Sequence, residues 1–312
     1  VARPSLRERR LLFVTGKGGV GKTTIAAGLA QALANEGTSV LLCAIDNRSD
    51  IGEAFGLSQL HFEPQSVSDN LSLMVMDTES ALRDYLRINM KIPVVTKIGP
   101  IANAFDFVAT AAPGVREILT IGKLCYDVRE NLYDVVVVDA PATGHIIGYL
   151  AAPQAINALV RVGLIRNQTD WMLEILSNPE KTGVVIVTTP EEMPVVETLQ
   201  LLKKLEDETT VQAAAVVVNR TLSDLVVPRD EPVLAGLSAK RPDAFTSSAL
   251  DGLFEAARLS DAKNTVAHEH LATLRQGLDD DLSVIAQPYL FDCADASSIV
   301  QAVATSLGEE IQ

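Results

Sequence analysis

Nine consecutive residues, Gly16-Lys17-Gly18-Gly19-Val20-Gly21-Lys22-Thr23-Thr24, constrain this chain more than any other stretch. They follow an apolar run, Leu11 to Thr15, and lead into a segment with apolar residues at helical spacing: Ile25, Leu29 and Leu33. Gly16, Gly21, Lys22 and Thr23 satisfy G-x-x-x-x-G-K-[ST] between a strand and a helix, the context in which that spacing makes a phosphate-binding loop. Glycines let such a loop wrap with its N–H groups turned inward, and the helix start adds a partial positive charge. Lys22 is expected to reach the β- and γ-phosphates of ATP, and the Thr23 hydroxyl to ligate Mg2+. Gly16 through Thr24, with Gly18, Gly19 and Val20 supplying loop amides, is the expected nucleotide cradle.

A loop of this kind sits at the end of a parallel strand, and the chain supplies the rest of such a sheet. Val40 to Ile45, Leu71 to Met76, Gly183 to Thr188, Ala213 to Val218 and Leu282 to Ala286 are short apolar runs. Asp134 to Val138 is so uniformly β-branched that it predicts a central strand covered on both faces. Helical patterns separate these runs, notably Glu191 to Glu206, Ser247 to Gln276 and Ala296 to Leu307. The alternation predicts an α/β fold: a doubly wound, mainly parallel sheet with helices on both faces and ligands at the strand C-termini. Residues 1–312 are expected to form a single domain, with helical insertions at about 78–131 and 153–177 making a lid subdomain. On that lid, Trp171, Met172, Ile175 and Leu176 fit a buried helix face better than an open groove.

Composition narrows the setting. A hydrophobic content of 47% and a charged content of 21% are those of a globular protein with a sizeable core. No run approaches the roughly 18–20 apolar residues that span a bilayer, so an integral membrane protein is not expected. The first ten residues are polar and Arg-rich, without the apolar centre of a secretory signal, which points to the cytoplasm. A net charge of −14 opposes binding to nucleic acid or anionic lipid. Cys43, Cys125 and Cys293 lie far apart with no C-x-x-C pair, so neither a disulfide framework nor a zinc site is expected.

Lys17 carries more information than the rest of the loop, because an ordinary phosphate loop needs no lysine after its first glycine. The pattern K-G-G-x-G-K-T is the deviant Walker A form. It resembles the family of the arsenite-pump ATPase, the tail-anchored-protein targeting ATPase, the division-site and partition ATPases and the nitrogenase iron protein. That resemblance implies a dimer in which Lys17 reaches the nucleotide of the partner subunit.

Three later stretches resemble the arsenite/tail-anchor branch in particular. Asp46-Asn47-Arg48-Ser49-Asp50-Ile51-Gly52-Glu53-Ala54-Phe55 is similar to its D-P-A-H-x-x-S-D-A-F first switch. The likeness implies that Asp46 orients the attacking water; Asp46 also suits an Asx turn at a strand end. Asn47, Arg48 and Ser49 replace the branch's proline, alanine and histidine. Asp139-Ala140-Pro141-Ala142-Thr143-Gly144-His145 resembles the D-T-A-P-T-G-H second switch, where a carboxylate holds Mg2+ through water. His145 suits an exposed helix start as well as a relay. Thr189-Pro190-Glu191-Glu192 with Glu197-Thr198, followed by Val216-Val217-Val218-Asn219, resembles T-x-P-E…E-T and V-V-x-N. In that branch the asparagine reads adenine; a plain turn asparagine is the other reading of Asn219.

The chain is thereby identified as a single-P-loop member of the ArsA-like ATPases. The resemblance implies slow, Mg2+-dependent ATP hydrolysis coupled to closure of a homodimer, or of a heterodimer with a paralogous ATPase. It implies a role in membrane-protein targeting or in anion or metalloid transport, with a hydrophobic protein as possible client. Lys17, Lys22 and Asp46 would be catalytic, Asn219 base-binding, and Thr23 and Asp139 the Mg2+ ligands. A nucleotide-gated, chaperone-like binding module with little turnover is the alternative. A partition or division-site ATPase fits less well, because residues 296–312 contain no lysine or arginine.

Overall fold

A computed structural model describes residues 3–45, 51–90, 114–222, 236 and 247–311. Among them eight strands form one sheet in the order β3-β4-β2-β5-β1-β6-β7-β8. The strands are β1 Leu11–Gly16, β2 Val40–Ala44, β3 Gln65–Ser68, β4 Leu71–Val75, β5 Val135–Asp139, β6 Thr182–Thr188, β7 Ala213–Thr221 and β8 Ser283–Pro288. Only the β3–β4 pair is antiparallel. The helices are α1 Lys22–Asn35, α2 Ile51–Ala54, α3 Thr78–Met90, α4 Val115–Arg129 and α5 Thr143–Leu159, then α6 Leu164–Leu176, α7 Glu192–Glu208, α8 Ser247–Gln276 and α9 Ala296–Glu310. No helix among the described residues is long and apolar enough to cross a membrane.

The fold is the doubly wound α/β architecture that the alternation of elements predicts. β1, β2, β5 and β6 are buried at every position, which is why their runs lack polar alternation. On one face Leu12, Val14, Leu42, Val137 and Val217 pack with α1 and α9 through Ile25, Leu29, Val300 and Val303. The two helices meet so closely that a Cβ on Gly28 would lie 2.3 Å from Val303 Cγ1. On the other face Phe13, Leu41, Val136 and Val138 pack with α4, α5, α6 and α7 through Leu124, Cys125, Ile146, Met172 and Leu201.

Several boundaries differ from the sequence expectation for physical reasons. β3 is absent from the hydrophobic pattern because Gln-Ser-Val-Ser is a polar edge strand with alternating exposure. α5 begins at Thr143 although Gly144, Gly148 and Pro153 argue locally against a helix; buried Ile146, Tyr149 and Leu150 hold it to the sheet. Within the two stretches expected to form a lid, α4 lies on the sheet as the last helix of the β4-to-β5 crossover, and Met172, Ile175 and Leu176 of α6 are buried. Trp171 is partly buried at the margin of that face, with the Arg129 guanidinium 5.0 Å from its ring.

Candidate functional site

The parallel strands deliver three of the motif segments to one edge of the sheet. β1 ends at Gly16, and the loop that follows closes at Gly21, where φ is 95° and α1 begins. That left-handed backbone favours glycine. A Cβ there would also lie 2.4 Å from Asn219 Nδ2, so Gly21 is required twice over. Gly18 and Gly19 form an exposed tip, where a Cβ on either would meet nothing within 4 Å, while Val20 is buried beneath it. Thr24 lies in the first turn of α1, half-buried.

Lys22 folds back over this loop, its Nζ donating to the carbonyl oxygen of Lys17 at 3.2 Å. Burial pushes the Lys22 pKa below the ordinary lysine value, and the nearby Asp139 carboxylate opposes that shift. Lys22 makes no ion pair among the described residues, so its charge is compensated only in part. The Thr23 hydroxyl donates to Asp139 Oδ2 at 2.9 Å, and Asp139, the last residue of β5, is 8% exposed. Its segment is tied to β1: Ala140 N donates to Val14 O at 3.0 Å, and the Thr15 hydroxyl to Pro141 O at 2.7 Å.

Lys17 points back across its own chain. Its Nζ lies 2.7 Å from Glu197 Oε1 on α7, and the Thr143 hydroxyl donates to Glu197 Oε2 at 3.3 Å. In the sequence Glu197 stands out only as part of the E-T pair on that helix; its contact with Lys17 joins residues 180 positions apart and has no local signal.

Asn219 reaches the loop from β7. Its Nδ2 donates to Val20 O at 2.8 Å, and its Oδ1 accepts from Arg220 N at 2.9 Å. One amide hydrogen and one lone pair remain beyond those two bonds. Arg220 has a φ of 60°, unusual for a residue other than glycine. Gln287, the register partner of Asn219 on β8, is fully buried with neither amide atom hydrogen-bonded. His145 is exposed in the first turn of α5. Asp46 and residues 47–50 lie outside the described residues.

These side chains fit a magnesium nucleotide. Thr23 and Asp139 present adjacent hydroxyl and carboxylate oxygens, hard donors of the kind Mg2+ takes. The positive helix start and the partly compensated Lys22 suit phosphate.

A glycine loop between a buried central strand and a helix, at the C-terminal edge of a parallel sheet, defines a P-loop NTPase. The family profile for anion-transporting ATPases (ArsA) matches residues 9–173 and 164–231. The chain is 31% identical over 299 residues to ATPase BagA of Mycobacterium tuberculosis, covering 90% of this chain and 86% of that protein. It is 27% identical over 241 residues to a putative arsenical pump-driving ATPase of Halobacterium salinarum, covering 70% of this chain and 36% of that protein. With ATPase get3 of Neurospora crassa the identity is 31% over 165 residues, 52% of this chain and 48% of that protein. The chain belongs to the anion-transporting ATPase family and is an ArsA-like ATPase.

Proposed function

We propose that this protein is a slow Mg2+-dependent ATPase that works as a dimer, its nucleotide-driven closure controlling a partner or client. The observation that carries the reading is the meeting of Lys22, the Thr23–Asp139 pair and Lys17 at one sheet edge. Lys22 and the amides of residues 16–24 hold the phosphates, and their positive charge is set in place before reaction, which avoids reorganisation as charge develops. Thr23 and Asp139 hold Mg2+, which supplies charge neutralisation on the phosphates when bound. Asp46 orients the attacking water. The uncommitted hydrogen and lone pair of Asn219 meet the edge of the base, and the buried, unbonded Gln287 amide beside it favours a polar group there.

Lys17 acts in trans, on the nucleotide of a second identical chain or of a paralogous ATPase. ATP can drive this assembly only if it binds the closed form more tightly than the open one, and a lysine supplied by the partner creates that difference. The likeness to anion-transporting and arsenical pump-driving ATPases supports a role in membrane-protein targeting or in anion or metalloid transport, carried out in the cytoplasm. As a monomer, Lys17→Ala is expected to bind ATP within about threefold of the wild-type monomer, because Lys22 and the amides are untouched, while losing ATP-dependent dimerisation and turnover. Sedimentation with ATP checks this, and a mutant that dimerises like wild type refutes the role in trans.

A second reading, a nucleotide-gated binding module with little turnover, is favoured by one surface feature. Leu159, Val162, Leu164 and Ile165 are all at least 49% exposed around the α5–α6 turn, an apolar cluster suited to a hydrophobic protein segment. Hydrogen exchange over 159–165 is expected to differ between the ADP and ATP states. Identical protection in both removes this reading.

A further inference from the structure

We propose that Glu197 is the resting seat of Lys17, so that this one carboxylate restrains assembly until the lysine is handed to a partner subunit. The inference rests on the trans role proposed for Lys17, and adds what holds that lysine beforehand and what must be broken to release it.

The geometry assigns the seat to Glu197 and the movement to Lys17. Glu197 stands on α7, whose neighbouring residues Val195, Thr198 and Leu201 are each 1% exposed and lock the helix to the sheet. Lys17 stands beside the open Gly18–Gly19 tip on a flexible four-carbon stem. The 2.7 Å pair is partly shielded, with side-chain exposures of 30% and 28%. An ammonium held there is not available to a phosphate across a subunit boundary. The two contacts compete for one charge.

Thr143 makes the seat responsive to the site. Both oxygens of the Glu197 carboxylate are engaged, one by Lys17 and the other by the Thr143 hydroxyl. Thr143 follows directly on residues 139–142, which touch the phosphate loop through Asp139 and Thr23 and are anchored to β1 at Pro141. A shift of residues 139–143 on nucleotide binding therefore withdraws one of the two donors that fix the carboxylate. Glu197 then touches the two segments that report on phosphate, the loop and the stretch after β5. Three sequence motifs far apart in the chain share this residue.

Glu197→Gln keeps the shape of the side chain and an oxygen for Thr143 while removing the charge that holds Lys17. Two measurements test the seat. In the nucleotide-free protein, acetylation of Lys17 by an N-hydroxysuccinimide ester, read by mass spectrometry against the exposed Lys203 of α7, is expected to accelerate about two- to fivefold, the range of a partly exposed ion pair. The ATP concentration giving half-maximal dimerisation is expected to fall by a similar factor, because both readouts report the loss of the same competing contact. Glu197→Gln combined with Lys17→Ala is expected to behave as Lys17→Ala alone, since the glutamate acts only through the lysine. Thr143→Val is expected to shift dimerisation in the same direction by less.

Unchanged Lys17 labelling in Glu197→Gln overturns the seat, whatever dimerisation does. Faster labelling with an unchanged or raised ATP requirement overturns its role as a restraint. Normal ATP-driven dimerisation of Lys17→Ala defeats the trans role and the restraint with it, while the labelling still records the ion pair, so the two failures are told apart.

Discussion

Lys22→Met is expected to lower ATP turnover by roughly three orders of magnitude, the scale seen when a preorganised charge donor is removed from a reacting centre, without lowering the stability of the nucleotide-free protein. The two halves of this expectation have one cause. The Lys22 ammonium is half-buried above the phosphate loop, it donates a hydrogen bond to the carbonyl of Lys17, and burial depresses its pKa. A lysine whose folded pKa lies below the unfolded value of 10.5 is destabilising while charged. The cost is present throughout neutral pH, and it is relieved as pH rises from the depressed value toward the ordinary one, where the unfolded chain still holds its proton and the folded chain has lost it. Methionine keeps most of the stem and removes the charge. The melting temperature of Lys22→Met without nucleotide should therefore equal or exceed that of wild type, while added Mg-ATP should stabilise the mutant less. A mutant that melts well below wild type without nucleotide, or that keeps more than about a tenth of its turnover, defeats this account of the residue.

The contrast between Lys22 and Lys17 shows how much of the site the sequence makes legible. Lys22, Thr23 and the glycines of the loop are legible because their chemistry is local: nine adjacent residues set the backbone, the charge and the helix start together. The sheet is legible for a related reason, since strands buried on both faces leave unbroken apolar runs such as Val135–Val138. What escapes is settled by residues distant in sequence. β3 is a polar edge strand held by pairing with β4, and nothing in Gln-Ser-Val-Ser announces it. α5 overrides two glycines and a proline because its apolar residues pack on the sheet, a tertiary effect that local propensity does not contain. The contact of Glu197 with both Lys17 and Thr143 depends on where α7 crosses the strand edge. Asn219 is singled out in the sequence as a candidate base-binding residue, but its hold on Val20, and through it the geometry of the phosphate loop, emerges only when the end of β7 is brought beside that loop.

The helix α4 carries the largest stability effect to be expected outside the nucleotide site. Lys123→Met is expected to destabilise the protein by about 3–5 kcal/mol, a large share of the roughly 5–15 kcal/mol that holds a typical domain together. Lys123 and Asp127 are spaced i,i+4, and their side chains meet at 2.7 Å with exposures of 14% and 2%. The same spacing on an open helix face is worth a few tenths of a kcal/mol. Burial changes the case, because removing the ammonium leaves a carboxylate in a place that water does not reach. Asp127 already has its pKa raised by that burial, against the opposing pull of Lys123, with Asp84 adding a smaller upward push. A carboxyl whose folded pKa exceeds its unfolded value of 3.8 holds its proton better in the fold, so stability falls as pH climbs through the interval between the two. Loss of Lys123 widens that interval upward. The deficit of Lys123→Met should therefore be greatest at neutral pH and shrink as pH is lowered, as Asp127 takes up a proton inside the fold. Lys123→Met with Asp127→Leu should recover most of the loss, since a buried ion pair replaced by apolar groups of similar size is often neutral. Urea unfolding of the three proteins at two pH values measures all of this. A single mutant within about 1 kcal/mol of wild type, or a deficit that does not diminish in acid, would mean that Asp127 finds another counter-charge when Lys123 is gone.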